Sequence, residues 1–390
     1  MDDSFHFPTW LKELKSPATA GEYASDVDKQ GRFPAESLAS FREERLLSAP
    51  VSPEFGGMGL GMREQCELVA AVAQHCGSSA MVLAMHYSQV ACLTRHVQGS
   101  AFVIDRLRAL CEQQTLLASI TSEVGTFGDT RSSICAVQRE EGDRFTLRKE
   151  ATTGSYCAHA DAILVTCRRA PDASANDQAL VFVPAAQANL VQTTAWDTMG
   201  MRGTCSPGFV LDTQGHADQV LPVSFADIAS QSMVPFSHIL WSSLWWGLAH
   251  GAYAKAATLV RGQARKNPGT TPPSALRLAE LLVKVQVMRH HWQGVADEFD
   301  ALVASGQDTT ALAGMGWALK LNSLKTACSE AAPGIIHDAL QILGIPGFSN
   351  QGPLSVARIY RDALSGALMV SNERIAAKSA SMLLVVKDSL

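Results

Sequence analysis

The sequence lacks a long hydrophobic run, a basic cluster and a secretion signal, and each absence excludes a class of protein. A membrane-spanning helix needs about 18–20 consecutive apolar residues. The richest stretch, His238–Ala257, is interrupted by Ser, Gly, His and Lys. The N-terminal MDDSFHFPTW is acidic and has no hydrophobic signal core. Lys and Arg are scattered and the formal net charge is −5, which argues against nucleic-acid binding. We therefore expect a cytoplasmic protein with no membrane span and no nucleic-acid partner.

Regular spacing of metal ligands or disulfide partners is also missing. The chain has nine cysteines, an odd number, and none forms CxxC. Zinc sites and disulfide frameworks both need regular cysteine spacing. The adjacent pair His290-His291 is a poor ligand pair, because neighbouring residues diverge by about 100° on a helix. We interpret the cysteines as reduced core thiols and predict no metal site.

Hydrophobic periodicity divides the chain into three segments. Residues 1–115 are mostly helical in pattern, as in the Ala-rich stretch Cys66–Met85. Residues 116–230 contain short β-branched runs, namely Ile134–Val137, Ala162–Cys167 and Ala179–Val183. Helical patterns return over residues 231–390, with candidate helices at Tyr253–Ala264, Leu276–His290, Ala311–Ala331, Ile335–Leu343 and Leu354–Ala363. At about 150 residues per domain, 390 residues allow two or three domains. We predict an α+β fold that is mainly α, since a doubly wound sheet would need alternating strands and helices.

Two conspicuous patterns are best explained by structure. The glycine-rich GGMGLG at residues 56–61 does not fit a dinucleotide-binding fingerprint, because no strand precedes it and Met62 follows where glycine is required. We interpret it as a turn. The second pattern has tryptophans at i, i+4 and i+5, which predicts a buried helix face: Trp241, Trp245 and Trp246.

Two loops in the β segment carry groups that could contact a polar ring or a phosphate. Ser122–Asp129 combines hydroxyls, two glycines and two carboxylates ahead of strands. Met199–Thr204 places a cation in a glycine-rich turn. Taken singly, each is better explained as an ordinary β-turn.

The order of five segments is more informative than any one of them. In this order they resemble five motifs of the acyl-CoA dehydrogenase superfamily. Pro53–Leu60 resembles PEEYGGLGL, Ser122–Asp129 resembles TEPGAGSD and Met199–Gly203 resembles MGIRG. Gln341–Phe348 resembles QxxGGxGY, and Arg358–Ala363 resembles RxYRDA. The resemblance implies an N-terminal helical domain, a central β-barrel-like domain and a C-terminal four-helix bundle. It also implies a homotetramer or homodimer, and a flavoprotein as a candidate electron acceptor.

The resemblance further implies FAD between the β domain and the bundle, or FMN if the chain is a monooxygenase. Ser122 stands where the family's Thr binds the pyrimidine edge of the flavin, and Gly128 replaces the family's Ser. Thr153 and Ser155 align with the ends of a W-I-T segment beside the flavin N5.

Three further cofactor residues are implied outside the β segment. Gln341 and Gly344 match the loop that holds the FAD diphosphate of a neighbouring subunit, with Ile345 in place of the second glycine. Arg265 is a loose counterpart of the Arg in Arg-x-x-Phe-Gly.

The family's catalytic glutamate is absent from both of its usual places. One position holds Val370, and the alternative position on an earlier helix reads Ser237-His238. Glu373 would share a face with Val370 if the segment were helical, and His238 titrates near neutrality in its ordinary state. These two are the candidate catalytic bases. A solvated surface glutamate and a structural histidine are the alternatives.

The expected function is that of an FAD-dependent oxidoreductase of acyl-CoA dehydrogenase type, acting on the CH–CH group of an acyl thioester. Such chemistry needs a base for the α-proton while a hydride passes to the flavin. Two alternatives accommodate the missing glutamate. One is a reduced-flavin-dependent monooxygenase with another small-molecule substrate, and the other is a non-catalytic flavin-binding relative.

Overall fold

The computed structural model describes residues 6–97, 99–306 and 309–386, and in that part helices are followed by strands and then by helices. The change of element falls between residues 113 and 117, and again between 216 and 225. An α+β fold that is mainly α is therefore confirmed. The division into domains at residues 115 and 230 stays a prediction.

Six helices form the N-terminal segment: α1 (Phe7–Glu13), α2 (Ser16–Gln30), α3 (Ala35–Glu43), α4 (Met62–Ala73), α5 (Gly77–Thr94) and α6 (Ala101–Gln113). The expected helix Cys66–Met85 is divided between α4 and α5. The second helix starts at Gly77, where an added Cβ would lie 2.8 Å from Oδ2 of Asp362. Along α5 nearly every side chain is buried, so this helix lies inside the protein.

The GGMGLG segment is a turn, as expected. Gly56 and Gly59 have φ values of 96° and 73°, which L-residues with a Cβ seldom adopt. A Cβ at Gly57 would collide with the carbonyl of Val51. The glycines therefore allow the turn. Among the described residues no strand precedes the segment, and α4 begins directly after it at Met62, so the strand-turn-helix order of a dinucleotide-binding fingerprint is absent.

Seven strands form two sheets: β1 (Leu117–Ile120), β2 (Gln138–Glu140), β3 (Arg144–Ala151), β4 (Ala162–Arg168), β5 (Gln178–Pro184), β6 (Asn189–Gln192) and β7 (Phe209–His216). The first sheet has the order β1-β4-β5, with β1 parallel to β4. The second has the order β2-β3-β7-β6 and is antiparallel. Strands β4 and β5 confirm the two predictions there. The predicted strand over Ile134–Val137 is wrong, because within this range only Ala136 forms a β-bridge, with Arg168.

Within residues 225–306 and 309–386, the C-terminal segment contains seven further α-helices: α7 (Phe225–Ile228), α8 (Val234–Lys266), α9 (Ser274–Ala304), α10 (Met315–Leu343), α11 (Ile345–Phe348), α12 (Ala357–Leu364) and α13 (Asn372–Leu383). A π-helical turn over Ala229–Met233 leads into α8. Helices α8, α9 and α10 pack on one another, and α8 also packs on α4 and α5. Trp241, Trp245 and Trp246 are buried as predicted. In the part of the chain that is described, no helix is long and apolar enough to cross a membrane.

A buried histidine joins the N-terminal helices to the β segment. His86 of α5 contacts the Leu47 carbonyl through Nε2 at 2.8 Å, and its Nδ1 accepts the Leu117 N–H at 3.0 Å. Burial lowers the pKa of His86 to about 4. The ring is neutral at pH 7 and fastens α5 to the first strand of the β segment.

Candidate functional site

Two of the residues implied to bind the cofactor are directly bonded. The Ser122 hydroxyl donates to the Thr153 carbonyl at 2.9 Å and accepts the Thr153 N–H at 3.1 Å. The two side-chain oxygens lie 3.3 Å apart. Ser122 follows β1 and Thr153 follows β3, so this contact brings the ends of two strands from different sheets together. Both side chains are at least partly accessible.

A short chain of hydroxyls continues from Ser155. Ser206 donates to the Ser155 hydroxyl at 2.8 Å, and the Thr204 hydroxyl lies 2.8 Å from that of Ser206. Thr204 belongs to the second loop, Met199–Thr204. The hydroxyls thus connect the second loop to segment 153–155, whose Thr153 bonds Ser122 of the first loop. Ser206 was missed, because an isolated serine in a loop carries no recognisable signal.

Glu123 of the first loop stabilises the loop itself. Its carboxylate is buried and accepts the N–H groups of Ile134 and Cys135 at 3.1 and 2.6 Å. The ammonium of buried Lys149 lies 3.5 Å away. These bonds occupy the carboxylate and take the Ile134 and Cys135 amides out of a strand ladder. This is the physical reason why no strand forms over Ile134–Val137.

Gly128 makes room for an arginine from the C-terminal segment. Its φ is 79°, and an added Cβ would lie 2.7 Å from Nη1 of Arg374. Arg374 donates to the carbonyl of the neighbouring Phe127, whose side chain is 86% exposed. Loop Ser122–Asp129 is therefore fastened to α13. Arg374 was missed in the sequence, where it reads as an ordinary surface arginine.

The turn between α12 and α13 contains the position of the family's glutamate. Val370 has φ 46°, a region that β-branched residues rarely enter, and 49% of its surface is exposed. Glu373 lies in the first turn of α13, which begins only at Asn372. The expectation of a common helical face for Val370 and Glu373 is therefore wrong. Glu373 is exposed and makes no hydrogen bond or ion pair with another described residue.

His238 is buried in α8 and is neutral at pH 7. Burial, followed by the positive charge of Lys325, lowers the pKa of His238 to about 3. Its Nδ1 lies 3.2 Å from the Ser237 hydroxyl, and its ring stacks on Trp241 at 6.1 Å. An imidazole with so low a pKa is a weak base.

Lys325 of α10 lies buried beside the Val370 turn and was not singled out in the sequence. Its Nζ lies 3.4 Å from the Val370 carbonyl, and burial lowers the pKa of Lys325 to about 8. The Lys325 ammonium is also 5.7 Å from the ring centroid of Trp245. A buried cation therefore contacts the turn at whose position 370 the family carries a glutamate.

Two of the family's motifs contact each other. Asp362 accepts the N–H of Met201 at 2.7 Å, and Arg361 donates to the Met199 carbonyl at 2.6 Å while pairing with Asp28 of α2. Burial raises the pKa of Asp362 to about 6. These residues hold α12 to the β segment and to α2, so their role in this chain is to join segments.

The remaining implied cofactor residues lie apart from this cluster. Gln341 and Gly344 are exposed at the C-terminal end of α10, and Arg265 is exposed in the last turn of α8. No described hydrogen bond joins any of them to the hydroxyls after β1 and β3. The described residues also contain no group of three or more His, Cys, Asp or Glu side chains able to hold a metal ion.

Comparison with known proteins agrees with this fold. Residues 18–100 match the family model of the acyl-CoA dehydrogenase N-terminal domain, and residues 230–370 match that of the C-terminal domain. The order of helices, sheets and bundle, together with these matches, defines a family of flavin-dependent oxidoreductases. The chain belongs to the acyl-CoA dehydrogenase superfamily, which confirms the resemblance read from the five motifs.

The similar proteins include members with different chemistry. The amino sugar nitrososynthase DnmZ of Streptomyces peucetius is 24% identical, over 92% of this chain and 88% of that protein. Cyclohex-1-ene-1-carbonyl-CoA dehydrogenase of Syntrophus aciditrophicus is 22% identical, over 87% and 80%. The FMN-bound crystal structure of TdsC, a dibenzothiophene monooxygenase of Paenibacillus sp. A11-2, has a TM-score of 0.83 with 18% identity, covering 96% and 97%.

Proposed function

We propose that this protein is a reduced-flavin-dependent monooxygenase whose substrate is a small molecule with a reactive nitrogen or sulfur. The observation that carries the proposal is Val370, a half-exposed aliphatic side chain where dehydrogenation needs a carboxylate. Similarity to an amino sugar nitrososynthase and to a dibenzothiophene monooxygenase supports the substrate class.

Neither candidate base fits removal of an α-proton. A valine cannot accept a proton, and His238 has a pKa of about 3, far below the value that suits a base at neutral pH. Glu373 lies on a different element from Val370 and points to no described partner. Oxygenation of a heteroatom does not need a carboxylate at this place, since no C–H bond has to be broken.

The donor set around Ser122 fits a flavin. Neutral hydroxyls and nearby backbone amides suit the carbonyl and N–H groups of a pyrimidine edge, and Ser122 would hold that edge. Thr153 and Ser155, which align with the family's segment beside the flavin N5, would contact the ring there. Reduced flavin would supply the two electrons with which O₂ yields one oxygen atom for the substrate and one for water. We take FMN as the first cofactor to test, because Ile345, 79% exposed, replaces a glycine of the family's FAD diphosphate loop.

Apolar side chains would keep water from the reacting groups. Phe127 is exposed on the loop that Arg374 fastens to α13, and Val370 is half exposed on the turn that precedes the same helix. Trp241 and His238 form a buried stack in α8. Excluding water protects a reduced cofactor from unproductive reactions.

The direct test measures oxygen transfer. The purified protein is supplied with FMN or FAD, reduced without oxygen, and mixed with ¹⁸O₂ and one of four probes: an amino sugar, dibenzothiophene, indole or an acyl-CoA. We expect one ¹⁸O atom in the product of a nitrogen or sulfur compound. In a parallel oxygen-free sample whose flavin is left oxidised, we expect no bleaching by the acyl-CoA. Bleaching by an acyl-CoA without oxygen incorporation would overturn the proposal.

Variants of the hydroxyl cluster test the cofactor site separately. Ser122→Ala removes the hydroxyl that bonds the Thr153 loop, and we expect flavin affinity to fall about five- to tenfold, as for one lost hydrogen bond. Ser174→Ala is the matched control, because Ser174 is an exposed loop hydroxyl bonded only locally to Asn176. Equal flavin affinity in both variants would argue against this site.

Dehydrogenation of an acyl thioester is the second candidate. It is favoured by the similarity to cyclohex-1-ene-1-carbonyl-CoA dehydrogenase, and it would require Glu373 or His238 as the base and a flavoprotein as a suitable electron acceptor. The same four-probe experiment distinguishes it. A chain that binds neither flavin would instead be a non-catalytic relative.

We also propose that the protein is a homo-oligomer. Three apolar residues lie on one face of α9 at spacings of seven and four and are 71%, 62% and 66% exposed: Leu276, Val283 and Val287. A groove of about 410 Å³ runs between this helix and α10. An exposed apolar stripe of this kind is typical of a subunit interface. Light scattering on Val287→Asp should give a smaller assembly than the unchanged chain.

A further inference from the structure

Lys325 is a buried ammonium whose partners all lie on one short segment. Its Nζ binds the Gly366 carbonyl at 3.0 Å, the Val370 carbonyl at 3.4 Å and Oδ1 of Asn372 at 2.6 Å. The side chain is fully buried, and it forms no ion pair with a described carboxylate. Burying a charge is expensive unless hydrogen bonds compensate it, and here three oxygens of residues 366–372 do so.

These bonds determine the shape of the turn between α12 and α13. The Gly366 carbonyl lies near the start of the turn, and the Val370 carbonyl lies near its end. Oδ1 of Asn372 belongs to the first residue of α13. Because the backbone is held at these points, Val370 adopts φ 46°, a conformation that β-branched residues disfavour. Asn372 is fixed in turn, since its Nδ2 donates to Ser329 and Glu330 of α10.

The turn is also fastened to the helix that carries His238. An added Cβ at Gly366 would lie 3.0 Å from Trp245 of α8, so the turn and the helix are in close contact. Lys325 lies over the same tryptophan at 5.7 Å. Lys325 therefore connects α8, α10 and the turn around Val370.

We propose that Lys325 is a positioning residue, which holds turn 365–371 so that Val370 faces the substrate beside the flavin. The inference rests on the proposed function, because that function is what places the substrate on the Val370 side of the turn. An aliphatic side chain would fill the bundle interior without the desolvation of a charge. A lysine that binds two main-chain carbonyls of the turn also fixes the backbone conformation at residue 370, which apolar packing alone would not do.

The test compares Lys325→Met, Lys325→Arg and a matched control, Lys255→Met. Lys255 also donates to a main-chain oxygen within the bundle, that of Pro353 at 2.6 Å, but it does not contact the turn. Amide hydrogen exchange of residues 365–371 is measured on the flavin-loaded protein, together with FMN affinity and the KM and kcat of oxygenation.

Three results are expected. Lys325→Met speeds exchange of residues 365–371 and raises KM roughly tenfold, because a displaced group beside the reacting atoms lowers catalytic efficiency by one to two powers of ten. FMN affinity stays within about twofold, since the hydroxyl cluster is intact. Lys325→Arg restores most of the KM, and Lys255→Met leaves exchange of the turn unchanged.

Two results would overturn the proposal. One is unchanged exchange of the turn in Lys325→Met. The other is a lower melting temperature with wild-type KM and kcat, which would make Lys325 purely structural. Asn372→Ala provides the same exchange test if Lys325→Met fails to fold, because it removes one acceptor and leaves the lysine in place. If the unchanged chain oxygenates no probe, the proposed function fails, while the exchange result still decides whether Lys325 holds the turn.

Discussion

The backbone N–H of Met201 donates to Oδ1 of Asp362 at 2.7 Å, across 161 residues of sequence. The contact joins the MGMRG-like segment of the β region to the RxYRDA-like helix of the bundle. A Cβ at Gly200 would collide with the carbonyl of Arg361, so the two segments touch through their backbones. The motif match thus corresponds to a physical junction between regions.

Replacing Asp362 by Asn should change how stability depends on pH. The folded pKa of Asp362, about 6, lies above the unfolded value of about 3.9. Its favourable contribution is therefore complete below pH 3.9 and is lost as the pH rises through 6. Relative to wild type, Asp362→Asn should gain about 2–3 kcal/mol in unfolding free energy between pH 4 and 7. Urea unfolding at several pH values measures this, and a constant difference would refute it.

Glu123→Gln should be among the more destabilising single changes in the β region. It leaves Lys149 buried without a carboxylate and weakens the acceptors of two backbone N–H groups. Breaking a buried pair from one side costs about 3–5 kcal/mol. The control is Asp212→Asn, which breaks the exposed pair with Arg148 and should cost less than about 1 kcal/mol. Similar unfolding free energies for the two variants would contradict the prediction.

Val370→Asn should stabilise the protein. Asparagine tolerates positive φ far better than a β-branched residue does, and the half-exposed side chain gives up little burial. We expect a gain of about 1 kcal/mol in unfolding free energy. Val370→Ile keeps the strain and should show no gain. A loss of stability in the asparagine variant would mean that the valine side chain packs better than its exposure indicates.

Glu373→Gln should leave oxygenation unchanged. The residue is exposed in the first turn of α13, so its charge contributes only about 0.3–1 kcal/mol through the helix dipole. Steady-state turnover with the best probe checks this. A fall of two or more powers of ten, with acyl-CoA as the only active probe, would identify Glu373 as a base and favour the dehydrogenase.

Local patterns predicted the elements that have strong periodicity, and tertiary packing decided the others. Strands β4 and β5 were found because they are continuous runs of buried, largely apolar residues that include Ile, Val and Phe. Helix α10 was expected as two helices, Ala311–Ala331 and Ile335–Leu343. It runs unbroken through Pro333 because Ile335 and Ile336 are buried in the core on its far side.

The site was predictable only where a motif marked it. Ser122 and Thr153 were singled out through motif order, and the structure shows them in contact, while their binding of a cofactor stays a prediction. Lys325 was not found, because its three partners lie 41 to 47 residues further along the chain. The sequence does not distinguish a buried lysine from a surface lysine. The difference arises only from how the helix that carries the lysine packs against the rest of the protein.

The space above Gly128 makes two positions of this chain interdependent. A serine there, as in the family's motif, would meet the guanidinium of Arg374 and would have to adopt a φ of 79°. Arg374 would then lose its hydrogen bond to the Phe127 carbonyl. The loop would no longer be held to the helical bundle. Introducing the family's serine at position 128 therefore requires a paired exchange at 128 and 374, with either single exchange disfavoured.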